Sequence, residues 1–377
     1  MFGQYECNRC HLFPGIAKTT FELDCVGCHR HILGREVVPD SPLHAPPEEM
    51  ARWQTSVHSL VEVPILAGTS RFQRSWVDAF LQDTHDVRPS LAASMPRFSM
   101  PPDDAAALAA FLVQTAEERD DAALGDAAPN AARGRAVMEA KSCGTCHRFT
   151  GVPALPAPGV PMAIERDVLE RGQQLAPDLR FARDRLRPAA LVEWLVDPQK
   201  VNSLAAMPTY PLTREEARDV AAYLVQTPLA AIERTAVPER LPVLERPVFY
   251  AEVHEQVFKK TCRHCHSNPT EVIGDGGPGY VGGFGFRKRA LDLNSYEGVR
   301  SGSLDDEGRN RSVLAPLPDG TPRIVAHLMA RHAEVAGAPV DGVRGMPLAL
   351  PPLALEDIQL LETWIVQGKK RASEVPR

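Results

Sequence analysis

The chain has 377 residues and a formal net charge of −6, a length that suggests two or three domains. Its acidic balance, with no basic tract interleaved with aromatics, excludes nucleic acid as the expected partner, and no apolar run of about 18 residues is present to span a bilayer. With 34 Pro, 26 Gly and only 6% aromatic residues, the side chains must share the filling of the core with something else.

In chain order, the first chemistry is at the N-terminus. Cys7-Asn8-Arg9-Cys10-His11 and Cys25-Val26-Gly27-Cys28-His29 are two Cys-x-x-Cys-His elements. Only six residues precede Cys7, too few for a leading helix, whereas residues 15–24 (GIAKTTFELD) predict a short helix entering Cys25, with Phe21 four residues before it. Residues 71–115 then form the first copy of an internal repeat. Its second copy is 180–227, and the two share an aromatic-Leu-x-Asp string, a Met-Pro and a last helix ending Leu-Val-Gln-Thr. Phe111 lies sixteen residues after Met95, and Tyr223 lies sixteen after Met207.

Residues 117–132 (EERDDAALGDAAPNAA) read as a linker. Cys143-Gly144-Thr145-Cys146-His147 follows, then the helix predicted at 213–226. That helix carries a Thr213-x-x-Glu216 capping box, an apolar face of Ala217, Val220, Ala221, Leu224 and Val225, and Pro228 as its stop. A second Pro-rich linker covers 229–247. A short helix at 257–261 leads into Cys262-Arg263-His264-Cys265-His266, and Met346-Pro347 precedes a closing helix containing Trp364. No alternating strand pattern of useful length occurs, so the expected fold is mainly α with little or no sheet.

All eight cysteines thus sit in four Cys-x-x-Cys-His elements. From composition, one such element arises by chance in roughly one of two hundred chains of this kind, so four are a design. The spacing is the attachment signature of c-type haem. Two thiols form thioethers to the porphyrin, and the adjacent histidine is the proximal iron ligand. A redox disulfide or a zinc site also uses Cys-x-x-Cys, but neither calls for a histidine directly after the second cysteine. Four porphyrins would supply the missing core and, with their propionates, make the holo-protein more acidic by about four further charges.

These residues resemble class I c-type cytochromes: a helix into Cys-x-x-Cys-His, a loop, a distal Met before Pro, and a crossing C-terminal helix. The resemblance runs over 133–228, through Cys143, Cys146, His147, Pro177-Asp178-Leu179 and Met207-Pro208, and over 248–377 with a longer loop. It implies three helical units: a dihaem unit at 1–116 and monohaem domains at 133–228 and 248–377. It also implies Met207 and Met346 as distal ligands to the irons of His147 and His266. Met95 would serve the iron of His29, with Met100 as its rival. The iron of His11 needs a histidine instead: His58 in Trp53-Gln54-Thr55-Ser56-Val57-His58 is the first choice, and His31 and His44 are alternatives.

Function follows from ligation. Six-coordinate irons imply electron transfer, by a carrier or by the cytochrome subunit of a membrane redox complex of respiratory or photosynthetic type. The competing class is a multihaem oxidoreductase such as a peroxidase, with the iron of His11 as an open site; no acid/base constellation accompanies it in the sequence. Haem attachment in such proteins occurs outside the cytoplasmic membrane. Because Met1–Glu6 leads straight into the first motif, the expectation is a periplasmic or extracytoplasmic protein whose export signal or anchor lies upstream of this numbering.

Overall fold

A computed structural model of the chain describes residues 3–5, 7–13, 15–21, 24–34, 47, 51, 54, 66, 68–91, 95–98, 100–114, 131–157, 164–203, 205–232, 235–263, 265–267, 289–305 and 307–371. In chain order the helices are α1 (Cys25–Ile32), α2 (Arg74–Gln82), α3 (Pro102–Leu112), α4 (Ala131–Ala140), α5 (Arg166–Leu175), α6 (Ala182–Arg185), α7 (Pro188–Val196), α8 (Pro198–Val201), α9 (Arg214–Gln226), α10 (Tyr250–Val253), α11 (Tyr296–Ser301), α12 (Arg323–Val335) and α13 (Leu355–Val366). Among the described residues the only sheet is an antiparallel pair, β1 (Ser303–Leu304) and β2 (Asn310–Arg311), so the fold is mainly helical as expected. None of the described helices is long and apolar enough to cross a membrane.

The chain divides into two compact units, one made of Met1–Val63 with Thr235–Arg377, the other of Pro64–Arg234. In the second unit α4 crosses α9 at Gly134. A Cβ there would stand 2.1 Å from the Asp219 carbonyl oxygen and 2.8 Å from Tyr223 Cβ, so only glycine allows the two backbones this close. Arg133 locks the crossing with a bidentate pair to the buried Asp219 carboxylate, at 2.8 and 2.9 Å. Around it Met138, Phe149, Leu191, Val192, Leu195, Val220, Tyr223 and Leu224 form one apolar cluster. The predicted capping box of α9 is present: Glu216 N–H donates to Thr213 Oγ1 at 3.1 Å, and Thr213 N–H donates to the Glu216 carboxylate at 2.7 Å.

The two repeat copies meet inside this unit. Phe72 and Leu186 form an antiparallel bridge, Gln73 N–H donates to Arg185 O and Arg187 N–H to Arg71 O, each at 3.0 Å. The Gln73 amide adds bonds to the carbonyls of Arg183 and Leu186 at 2.8 and 2.9 Å. A buried amide donor is satisfied twice by one strand-like contact, which fixes the seam between the copies.

In the first unit α13 is the spine. Trp364, Leu361 and Ile358 are buried with Val253, Val257, Phe258, Val299, Val325 and Leu328. Residues 235–247 have no regular secondary structure and run along α13: the Gln359 and Thr363 side chains bond to Pro242 O and Leu244 N, and Gln367, capping the helix, donates to Leu244 O and Arg246 O. Two expectations change here. Residues 15–20 are not helical; Asp24 instead caps α1 by accepting from Gly27 N–H at 2.8 Å, so the helix starts at the motif. The helix expected at 257–261 is a π-helical segment, His254–Cys262, continuing α10.

Candidate cofactor-binding sites

One backbone turn recurs at three motifs and is absorbed into a helix at the other. His11 N–H donates to Cys7 O at 2.7 Å, His147 N–H to Cys143 O at 2.9 Å, and His266 N–H to Cys262 O at 2.9 Å. Cys25, Cys28 and His29 lie together in α1. In each case one helical turn sets the histidine beside the first cysteine, leaving two thiols and one imidazole on a single short element. All eight cysteines are free thiols. Burial raises those of Cys7, Cys28 and Cys143 to about 11 and those of Cys262 and Cys265 to about 12. A dithiol built for disulfide exchange has the opposite shift.

At the third motif the surroundings are the most complete. His147 Nδ1 donates to the Pro177 carbonyl at 2.9 Å, which orients the ring and leaves Nε2 as the nitrogen available to a metal. Pro177 is held in turn: Asp178 accepts from Thr150 N and Arg180 N at 3.1 and 3.0 Å, and Leu179 N–H returns to Arg148 O at 2.9 Å. Burial keeps the His147 imidazole pKa below its ordinary value, so the ring is neutral and able to ligate. Cys143 and Met207 both pack on the cluster formed by α4, α7 and α9. Met207 Sδ accepts a hydrogen bond from Trp194 Nε1 at 3.2 Å, and its carbonyl accepts from Gln199 Nε2 at 2.8 Å.

The fourth motif repeats the plan in the first unit. Cys262 and Met346 pack on the α13 cluster. Met346 N–H donates to His327 O at 2.9 Å, and His327 Nδ1 donates to Arg344 O at 2.7 Å, which ties the Met loop to α12. Burial pushes His266 down to about 4, and its Nδ1 is buried with no hydrogen-bond partner among the described residues.

The N-terminal motifs are also in the first unit. The thiols of Cys10 and Cys25 interact: the contact and burial hold Cys10 well above its usual range, while the same contact lowers Cys25. Burial, with a smaller contribution from Cys25, raises Cys265. His29 is buried, and His31 sets its ring edge against Phe21 at 5.7 Å. Met95 is half-buried and Met100 buried, both in the second unit; the expected pairing of Met95 with His29 joins residues of different units. His58 and His44 lie outside the described residues.

Sequence reasoning had not picked out Gly134, Trp194 as a donor, or the Arg71–Arg187 contact. Gly134 could have been flagged as a lone glycine within a helical stretch; the others depend on a tertiary meeting of segments. Among the described residues no three His, Cys, Asp or Glu side chains converge on a common metal position. Each motif offers one imidazole and two thiols, a donor set that suits a porphyrin-held iron with covalent anchoring.

No curated protein and no solved structure matches the chain. The family model described as cytochrome c matches residues 131–228, the stretch that holds the α4–α9 crossing, the third motif and Met207. Residues 131–228 therefore match as a cytochrome c domain, which supports haem-based electron transfer by that part of the chain.

Proposed function

We propose that the chain carries four covalent haems, one at each motif, and moves electrons between partner redox proteins outside the cytoplasm, as a carrier or as the cytochrome subunit of a membrane complex. Haem supplies a one-electron ferric/ferrous couple when bound. The chain's residues do the rest. Cys7 and Cys10, Cys25 and Cys28, Cys143 and Cys146, and Cys262 and Cys265 anchor; His11, His29, His147 and His266 ligate. Met207 and Met346 present a thioether from the same apolar clusters that hold Cys143 and Cys262. The observation that carries the reading is the repetition of one turn, with the histidine N–H bonded back to the first cysteine's carbonyl, at motifs far apart in the chain.

The contact between the Cys10 and Cys25 thiols favours exchange between the first two motifs. The test is the intact mass of the protein exported from a host competent in haem attachment. It should exceed the polypeptide by four haem masses, and each double substitution of a cysteine pair to Ala should remove one. A product carrying haem only at Cys143 and Cys146 would reduce the function to that of the single matched domain.

A further inference from the structure

One helix, α12, bonds to the Met346 loop at five residues: Arg344, Gly345, Met346, Leu350 and Leu353. His327 Nδ1 donates to Arg344 O at 2.7 Å, and Met346 N–H donates to His327 O at 2.9 Å. Gly345 N–H donates to Glu334 Oε1 at 2.7 Å, and Arg331 Nε donates to Leu350 O at 2.8 Å. His332 Nε2 donates to Leu353 O at 2.9 Å. Arg331 and Glu334 also form an ion pair: Nη1 and Oε2 lie 3.0 Å apart, with the side chains 8% and 7% exposed. The loop passes so close that a Cβ on Gly345 would stand 2.5 Å from Glu334 Oε2 and 2.7 Å from Arg331 Cα.

We propose that the buried Arg331–Glu334 pair keeps Met346 on its iron and so closes that haem to exogenous ligands. The proposal rests on the reading of Met346 as that iron's axial ligand. A buried ion pair is a poor source of stability, because apolar side chains of the same volume often do as well or better. What such side chains cannot supply is an acceptor for Gly345 N–H on one side of Met346 and a donor to Leu350 O on the other. Hydrogen bonds to charged groups are also the stronger kind. The pair therefore fixes both flanks of the thioether, where residues 343–350 have no helix or strand of their own. A thioether that leaves iron opens a coordination position, for which a small neutral base competes. The apparent affinity of that base scales with the fraction of molecules in which the position is open. Loosening the loop raises that fraction, so the pair holds this haem to electron transfer and away from ligand chemistry. The Met207 loop is bonded by Trp194 and Gln199 instead, which makes the device particular to the fourth motif. Arg331 and Glu334 are positioning residues: neither binds iron.

The experiment is an imidazole titration of the ferric full-length holo-protein, followed at the Met-to-iron charge-transfer bands. Glu334→Leu and Gly345→Ala should each let imidazole remove one band at concentrations about tenfold lower than in the wild type, as a tenfold larger open fraction requires. The first variant takes away the acceptor; the second keeps the ion pair and pushes the loop off it. Glu334→Gln, which keeps an oxygen for Gly345 N–H, should stay within about threefold of the wild type. Combining Glu334→Leu with Met346→Ala should cost no band beyond the one lost in Met346→Ala alone. Wild-type imidazole affinity in both Glu334→Leu and Gly345→Ala, whatever their melting temperatures, would overturn the proposal. If Met346→Ala keeps every band, the axial assignment itself fails, which is a separate result. Should Glu334→Leu not accumulate, Arg331→Met combined with Glu334→Leu leaves no unpaired buried charge and should show the same change in affinity.

Discussion

His147 and Met207 are sixty residues apart in the chain, yet each is held by specific hydrogen bonds, His147 to a backbone carbonyl and Met207 from two side chains. The Pro177 carbonyl aims the imidazole, and Trp194 with Gln199 aims the Met207 loop. Met346 is restrained in a comparable way through His327 O. The expected outcome of Met207→Ala and of Met346→Ala is the loss of one Met-to-iron charge-transfer band each and a fall in that haem's potential on the order of 100 mV, within the ~0.8 V that axial ligands span. Visible spectroscopy under redox control checks this; unchanged titrations in both variants would sink the thioether assignment. At this scale the sequence was informative wherever covalent chemistry imposes spacing, as in Cys143-x-x-Cys146-His147. It was silent on Trp194, because a hydrogen bond to sulfur leaves no periodic trace.

At the scale of elements, α9 was legible in full. Its capping box, apolar face and terminal proline are local, and local signals survive folding. Thr213→Ala should cost about 1 kcal/mol, read as a shift in denaturation midpoint. The Thr213 backbone N–H holds the Glu216 carboxyl below its usual pKa, so its contribution is present above the ordinary carboxylate value and fades as pH falls through the depressed one. Because Glu216 is partly exposed, the pH-dependent part is small, and Glu216→Gln, which removes the titrating group, should flatten it. The α4–α9 crossing is the harsher test. Gly134→Leu would drive a side chain into the Asp219 carbonyl, and overpacking against backbone costs about 1–3 kcal/mol or more. Calorimetry of the holo-protein should show a lower Tm for the unit holding 131–228; an unchanged Tm would mean the helices can part without penalty. The non-helical 15–20 shows the opposite case. The stretch expected to enter Cys25 as a helix does not form one, and Asp24 gives α1 its start at the motif itself.

For the molecule as a whole, charge is the property on which partner choice turns. The polypeptide carries −6, and four bound haems with ionised propionates would add about four more negative charges. Which segments share a core was hard to read in advance: the bridge of Phe72 with Leu186 pairs residues more than a hundred apart in the chain, with nothing but the repeat to hint at it. Net charge, by contrast, is independent of folding, and it predicts an electrostatic match with a basic docking surface. The rate of electron exchange with a cationic inorganic reagent should therefore fall as ionic strength rises, and the rate with an anionic reagent should rise. Screening acts most strongly below about 0.15 M, where the Debye length exceeds about 8 Å. Stopped-flow mixing of the oxidised holo-protein with each reduced reagent, across a salt series, measures both slopes. Slopes of opposite sign place the exchanging haem edges under a negative local field. Slopes reversed from that order would put a basic patch at the exposed edge and an acidic surface on the partner, whatever the net charge of the chain.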